Sequence, residues 1–383
     1  MYLVLLFSLL MLAYELYPLF KKKLYKESCL EFDDVKNIED IVSRASLTLT
    51  NSKKIKMSFD DDESLYSRLS RLKNKIVFNK KHFNYRYYNF PKAWLYLGVI
   101  EQYKKSGDLI LLNSVIKQAE KLADVNGDLL FSFDKIDQSL FGVVFIELYI
   151  LTNDNRFKYA ADNIYTQTQS FLNKDGLILY RKNSNVYFVD TLGMVIPFLS
   201  YYAHLFKIDN ARVLANRQLE FYIEHGLDDE TKFPFHAIDM NNSMKLGSIN
   251  WGRGLGWFLI GLSYSIKYSS ESQNNIISVF NEIIEKLYSI RSNEKYWPQF
   301  LGHTDDVSID SSATIMFYFS QVIASMKDNN VMEDLSVALK QSINKSGFVF
   351  NASGDTFYIN KYSKAKSVSE VSQGLFLYIL SKE

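Results

Sequence analysis

The 383-residue chain has few cysteines, few prolines and almost no net charge, and each shortage narrows what the protein can be. Its one cysteine, Cys29, has no partner for an internal disulfide and excludes a cysteine-based metal cluster. Five prolines and no low-complexity linker argue against several domains. The 44 basic and 43 acidic residues nearly cancel, so the chain has no global electrostatic reason to bind nucleic acid.

Aromatic residues are abundant, with 26 Tyr and 28 Phe. Saccharide-binding clefts use aromatic faces as stacking platforms, so this excess fits a sugar ligand. It fits equally well a genome whose base composition favours Phe and Tyr codons. Composition alone therefore does not decide the function.

The first twenty residues are almost entirely apolar, with Glu15 as the single charge, and Lys21–Lys23 follow at once. About 20 apolar residues are enough to cross a bilayer as a helix. No basic residue precedes this run and no small-residue cleavage site ends it, so residues 1–20 are predicted to be an uncleaved, single-pass membrane anchor. The lysines predict that the folded domain lies on the cytoplasmic face. An ordinary buried first helix is the alternative.

After a basic flank and linker (residues 21–33), residues 34–383 are predicted to form one all-α domain. Apolar residues recur there at helical spacings of three and four, between short polar breaks. The predicted helices cover residues 91–106, 110–125, 137–153, 156–174, 189–206, 208–226, 251–270, 272–291, 310–326, 331–344 and 369–381.

These helices form pairs in which one member is nearly all apolar and the other amphipathic, as in residues 141–151 and 156–172. An apolar helix must be buried on all sides, whereas an amphipathic helix can form an outer wall. About six such hairpins would close into an (α/α)6 barrel, a toroid, and an open solenoid is the alternative. In a toroid the parallel inner helices collect their N-termini at one end, where a cleft is expected.

Two aspartates, Asp137 and Asp190, stand where inner helices are predicted to begin. Aspartate is a common helix N-cap, which is the structural interpretation of both. The functional interpretation is a pair of carboxylates that performs general acid–base chemistry on a sugar, each raising the other's tendency to hold a proton.

A more specific pattern is the Trp-Gly-Arg-Gly-Leu-Gly-Trp segment at residues 251–257. Glycine is unfavourable inside helices, so three glycines beside two tryptophans indicate close backbone approach or a nearby ligand. Arg253 could pair with a carboxylate, and Trp251 and Trp257 could stack on sugar rings. His236 lies in a predicted loop upstream, where it is either structural or part of the site.

Residues 251–257 resemble the W-x-R-G-x-G-W signature of the unsaturated glucuronyl and rhamnogalacturonyl hydrolases, glycoside hydrolase families 88 and 105. The segment around Asp190 is similar to the stretch that holds the catalytic aspartate of these families, and Asp137 matches their other important aspartate. His236 stands where the families have a histidine, and residues 310–314 resemble a late family motif. The resemblance runs from about residue 94 to the C-terminus.

This resemblance implies a glycoside hydrolase that removes an unsaturated uronic acid from the non-reducing end of an oligo- or polysaccharide by hydrating the C4=C5 double bond. It implies that Asp190 protonates C4 and then activates water, while Asp137 holds a ring hydroxyl and tunes Asp190. Arg253 and His236 would contact substrate. The expected stacking residues are Trp251, Trp257 and Trp94, and neither a metal nor another cofactor is expected.

Two other classes remain open. A non-catalytic saccharide-binding or polysaccharide-assembly protein on the same fold would keep the aromatic residues but not the acid, and the presence of both aspartates counts against it. A different (α/α)6 enzyme, such as a polysaccharide lyase or a sugar epimerase, is the other class. A lyase would be expected to have a Tyr, His or Lys base, and the sequence singles out none.

Overall fold

The computed structural model describes residues 2, 5–13, 16, 38–52, 55–57, 89–268, 273–302, 308–325, 330–356, 358–363 and 365–382. The predicted basic flank and linker at residues 21–33 lies outside these residues, as does part of the predicted anchor. Residues 5–13 are helical. Across the described residues, no helix combines the length and apolar content that a bilayer crossing requires.

From residue 38 onward the described chain is mostly helical and contains twelve α-helices. They are α1 Ile38–Asn51, α2 Phe90–Ser106, α3 Leu109–Ala119, α4 Leu140–Thr152, α5 Asn155–Gln169, α6 Asp190–Phe206, α7 Asp209–His225, α8 Gly252–Tyr268, α9 Asn274–Ser289, α10 Ser311–Ile323, α11 Val331–Ala338 and α12 Glu370–Leu380. A 3-10 helix, Ile136–Ser139, precedes α4. Strands β1 Val186–Phe188, β2 Ala237–Asp239 and β3 Met244–Leu246 form one antiparallel sheet, and β4 Ala352–Ser353 pairs with β5 Lys366–Ser367.

The helix predictions are correct except at some ends and at α1, which was not predicted as a separate helix although Ile38, Val42, Ala45 and Leu49 have helical spacing. The outer helices α3, α5 and α11 end five or six residues before their predicted ends. Each runs instead into a tight turn closed by an antiparallel bridge, namely Ala123–Leu129, Leu172–Ile178 and Ile343–Val349.

The even-numbered helices form a closed inner ring. Each contacts the next, from α2 through α4, α6, α8 and α10 to α12, and α12 packs back against α2. This closure excludes the open solenoid. The odd-numbered helices pack outside the ring, and α1 contacts α12, α2 and α3, so it completes the sixth hairpin. The arrangement supports an (α/α)6 barrel.

Glycine allows the ring to close between α2 and α12. A Cβ on Gly98 would lie 2.1 Å from the carbonyl oxygen of Gly374, and a Cβ on Gly374 would lie 2.2 Å from that of Trp94. No side chain fits at either position without moving backbone. The two helices can therefore approach closely only because both positions are glycine.

Early turns of neighbouring inner helices lie beside each other, which shows that these helices run parallel. Gly193 of α6 packs against Trp257 of α8, and Gly256 of α8 packs against Met316 of α10. The N-termini of the inner helices therefore meet at one end of the ring, as the sequence predicts.

Candidate active site

Asp190 is the first residue of α6 and does not cap it, because the N-cap is Val189 and no side chain caps this helix. Its carboxylate Oδ2 lies 3.4 Å from His236 Nε2. That is an ion-pair distance, but it is long for an N–H···O bond. Oδ2 is buried and makes no hydrogen bond among the described residues, although 15% of the Asp190 side chain is exposed. The N-cap interpretation of Asp190 is therefore wrong.

Asp137 lies in the 3-10 helix that precedes α4 and is fully buried. Its Oδ2 accepts a 2.9 Å hydrogen bond from Tyr180 Oη and lies 3.6 Å from Lys135 Nζ. Its Oδ1 has no hydrogen-bond partner in the described part of the chain. Asp137 does not cap α4 either, since Ser139 occupies the N-cap position.

The two aspartates belong to neighbouring elements of the same end of the ring. The 3-10 helix packs on α6, and Ser139 Oγ donates a 2.8 Å hydrogen bond to the carbonyl of Met194. The Tyr180 ring, whose hydroxyl binds Asp137, lies 6.0 Å from the Phe188 ring. Phe188 lies 5.6 Å from the ring of His236, the partner of Asp190. One phenylalanine thus separates the partners of the two carboxylates.

Each of these aspartates keeps one buried carboxylate oxygen that forms no hydrogen bond within the described part of the chain. Burial of an unsatisfied polar atom costs on the order of 1–3 kcal/mol, so native proteins rarely keep one without a reason. Such atoms are suited to bind a group that arrives from outside, which here would be a hydroxyl or a water molecule. The two carboxylates and their neighbours are the kinds of group that a general acid–base site requires.

The three-stranded sheet positions His236 beside α6. Strands β1 and β2 pair Phe188 with Ala237, and Val189 N donates a 3.0 Å bond to the carbonyl of His236. The buried imidazole lies between the rings of Phe188 and Trp251, and its Nδ1 is 3.2 Å from Tyr362 Oη. The structure therefore brings the predicted His236 next to the predicted Asp190.

Arg253 is 1% exposed and holds a segment of backbone. Its Nη1 donates a 2.7 Å bond to the carbonyl of Ser353, and its Nη2 donates a 2.6 Å bond to the carbonyl of Gly354. Nη2 also lies 3.8 Å from Asp355 Oδ1. The carboxylate that the structure places beside Arg253 thus belongs to the protein, and a contact with substrate stays a prediction.

Arg253 thus holds the beginning of a segment whose described residues are 352–356 and 358–362, which we name the C-terminal loop. A second anchor is Asp310, the N-cap of α10, whose Oδ1 accepts bonds from Ser312 N at 2.9 Å and from Ser353 N at 3.1 Å. The motif at residues 310–314 therefore caps a helix and fixes this loop at the same time.

The C-terminal loop contributes a third carboxylate, Asp355, which was not predicted from the sequence. The surrounding protein desolvates its carboxyl, although 20% of its side chain remains exposed. Burial raises the pKa of Asp355 to about 6, Arg253 opposes this shift, and the negative charges of Asp190 and Asp137 add to it. All three carboxylates are thus close enough to interact. The sequence around Asp355 is typical of an ordinary turn and does not indicate a functional carboxylate.

The three tryptophans predicted to stack on sugars are each about 1% exposed. Trp94 and Trp257 stack on each other at 6.4 Å in the core, and Trp257 meets Phe90 edge-on at 5.8 Å. Trp251 contacts the rings of His236 and Tyr362. No tryptophan in this set has an open ring face here, and their stacking on substrate stays a prediction.

The described residues contain no cluster of three or more His, Cys, Asp or Glu side chains that could hold a metal ion.

A family model described as Glycosyl Hydrolase Family 88 matches residues 67–381, most of the chain. The chain belongs to glycosyl hydrolase family 88. It is therefore a glycoside hydrolase.

The family 88 chain resembles several solved structures at low identity. A possible member of the GH105 family from Klebsiella pneumoniae subsp. pneumoniae MGH 78578 has a TM-score of 0.74 and 14% identity, covering 91% of this chain and 92% of that one. An unsaturated glucuronyl hydrolase specific for heparin has a TM-score of 0.70 and 15% identity, covering 91% and 96%. A polysaccharide lyase has a TM-score of 0.60 and 16% identity, covering 91% and 96%. These likenesses show a shared fold, which hosts more than one reaction.

Proposed function

We propose that this family 88 protein hydrates the C4=C5 double bond of an unsaturated uronic acid at the non-reducing end of an oligo- or polysaccharide. The observation that carries the proposal is the pair Asp137 and Asp190 at one end of the inner ring, each with one buried carboxylate oxygen that has no hydrogen bond to any described residue. The family assignment supports glycoside hydrolysis, and the carboxylate pair supports an acid–base route.

In the proposed reaction the protonated carboxyl of Asp190 gives its proton to C4, and positive charge develops at C5 and the ring oxygen. The carboxylate of Asp190 then takes a proton from water as the water oxygen bonds to C5. Asp190 is thereby returned to its protonated form. The resulting hemiketal opens, and the bond to the next sugar breaks as that sugar leaves with a free hydroxyl.

The neighbours of the two carboxylates fit supporting roles. Tyr180 and Lys135 hold one oxygen of Asp137, which leaves the other to accept a hydrogen bond from a ring hydroxyl. His236 is fixed by Tyr362 and faces Asp190, so it can stabilise the carboxylate that forms after proton transfer.

The test is the ultraviolet absorbance of unsaturated uronyl disaccharides incubated with the full-length protein. Hydration removes the conjugated double bond, so absorbance should fall. The Asp190→Asn variant should be slower by roughly a thousandfold, because the proton donor is lost. Asp209→Asn is the matched control, since Asp209 is also the first residue of a helix but is 83% exposed on the outer wall. It should match the parent protein.

Other outcomes would point elsewhere. Absorbance that rises on an intact uronate polymer would indicate a lyase, which creates such double bonds. Oligosaccharide binding with no change in absorbance across glucuronyl and galacturonyl substrates would favour the non-catalytic binding or assembly protein. Equal rates for Asp190→Asn and the parent would exclude Asp190 as the acid.

We further propose that residues 1–20 anchor the enzyme to a membrane in a single pass, with residues 34–383 on the cytoplasmic side. The nearly uncharged run and the three lysines after it support this. Expressed with its N-terminus intact, the protein should sediment with membranes and resist carbonate extraction. Recovery in the carbonate supernatant would exclude the anchor.

A further inference from the structure

Among the described residues, the aromatic surface that is open to solvent near the carboxylates comes from the sheet and the C-terminal loop, and the tryptophans are buried. In β1, Tyr187 is buried and Phe188 is partly exposed, because alternate strand residues face opposite sides. Tyr358 of the C-terminal loop is 60% exposed. Single exposed aromatic rings are common on protein surfaces, so the position of Tyr358 beside Phe188, and not its exposure alone, is what points to a ligand.

Phe188 and Tyr358 form one contact pair, which we name the rim pair. Their rings are 6.4 Å apart and 68° from parallel, so one presents its edge to the other. Phe188 also contacts Tyr180 and His236, the partners of the two catalytic carboxylates. The rim pair therefore continues directly from the proposed reaction centre toward solvent.

Tyr358 is exposed, but the loop that bears it is held in place. Tyr358 bridges to Lys361, and Gly354 N donates a 2.9 Å bond to the carbonyl of Ala365. Tyr362 Oη accepts a 3.1 Å bond from Ser248 N and faces His236. A ring presented on an anchored loop loses little conformational entropy when a ligand covers it.

We propose that the rim pair is the platform for the sugar that leaves, the ring attached to the unsaturated uronic acid. This rests on the proposed function, which requires such a sugar next to the cleaved bond. A pyranose with an apolar face would cover Tyr358 and exclude water from it. The enzyme is thereby selective for substrates with at least two sugar rings over uronides with a small aglycone.

The experiment compares an unsaturated uronyl disaccharide with the methyl glycoside of the same unsaturated uronic acid, using the full-length protein. Tyr358→Ala should lower kcat/KM on the disaccharide by about fivefold to tenfold, the order expected for one lost aromatic contact. It should change kcat/KM on the methyl glycoside by less than about twofold, because that substrate has no second ring. Tyr358→Phe should restore the disaccharide rate, since the ring provides the platform.

Tyr159→Ala is the matched control. Tyr159 is 51% exposed on the outer helix α5, so its loss should leave both rates unchanged. An equal loss on both substrates with Tyr358→Ala would mean a structural role and would overturn the proposal. Unchanged rates on both substrates would overturn it as well.

A binding measurement separates this inference from the proposed reaction. Calorimetry of the same disaccharide with Asp190→Asn, alone and combined with Tyr358→Ala, should show a dissociation constant about fivefold higher in the double variant. If the parent protein hydrates no substrate but this difference in dissociation constant is found, the sugar platform is supported and the proposed hydration is rejected. If binding is equal in the two variants, the platform fails whatever the reaction proves to be.

Discussion

Two segments meet beside Asp190 and differ in almost every respect. Residues 250–257 at the start of α8 carry two tryptophans, an arginine and three glycines, and they are prominent in the sequence. The C-terminal loop, in contrast, has a sequence typical of turns and short strands. In the structure the first segment is almost wholly buried, whereas the second exposes Tyr358 and part of Asp355.

This difference in exposure indicates that the two segments have different roles. The Arg253 guanidinium supports the loop by binding the carbonyls of Ser353 and Gly354, and Trp257 fills the centre of the ring. The loop then offers polar and aromatic surface to whatever enters. A distinctive motif can therefore mark the framework of a site while its contact surface lies in a segment that looks ordinary.

The largest effect on this comparison is expected from Trp257→Ala. The side chain packs on Trp94 and Phe90 and lies against Gly193, so its loss leaves a cavity that the closed ring cannot collapse to fill. The free energy of unfolding should fall by about 3–5 kcal/mol. Urea unfolding followed by circular dichroism measures this. A fall of less than about 1 kcal/mol would mean that Trp257 is not a framework residue.

Arg253→Met should have the next largest effect. It removes the donors to two loop carbonyls and leaves Asp355 without its nearby cation, so the free energy of unfolding should fall by about 2–4 kcal/mol. Arg253→Lys should not restore it, because one ammonium group cannot reproduce the planar two-pronged donor. Trypsin should also cut faster at the exposed Lys361. A destabilised variant with an unchanged cleavage rate there would contradict the role of Arg253 in holding the loop.

Asp355→Asn should have a smaller, pH-dependent effect. Burial raises the pKa of this carboxyl from 3.8 to about 6, so the folded protein holds the proton more tightly than the unfolded chain does. The contribution of Asp355 to the stability of the wild type should therefore be lost as pH rises from about 4 to about 6, and the variant lacks this contribution at every pH. Relative to the wild type, the variant should gain about 1–2 kcal/mol between pH 4 and pH 7, measured by urea unfolding. A difference that does not change with pH would contradict the raised pKa.

Most of the fold could be predicted from two local features of the sequence. Helical periodicity marks the helices, and the contrast between apolar and amphipathic helices separates the inner ring from the outer wall. The resemblance predicts roles for Asp190 and His236, and the structure places the two side chains 3.4 Å apart, while their roles stay predictions. The sites of Asp355 and Tyr358 could not be predicted, since they depend on one loop that is fixed by Asp310 and Arg253, which lie 43 and 100 residues from Ser353 in the chain. The burial of Trp94 and Trp257 could not be predicted either, because the sequence does not distinguish a tryptophan in a core from one in a cleft.

The smallest effect should be that of Tyr358→Ala on stability, and it completes the comparison with Trp257. The ring is 60% exposed and keeps one edge-on contact with Phe188, so its loss should lower the free energy of unfolding by about 0.5–1 kcal/mol at most. Measured beside Trp257→Ala, it separates a side chain that stabilises the fold from one that serves a ligand. If Tyr358→Ala proved as destabilising as Trp257→Ala, the C-terminal loop would be part of the framework, and weaker substrate binding by that variant would no longer indicate a sugar platform.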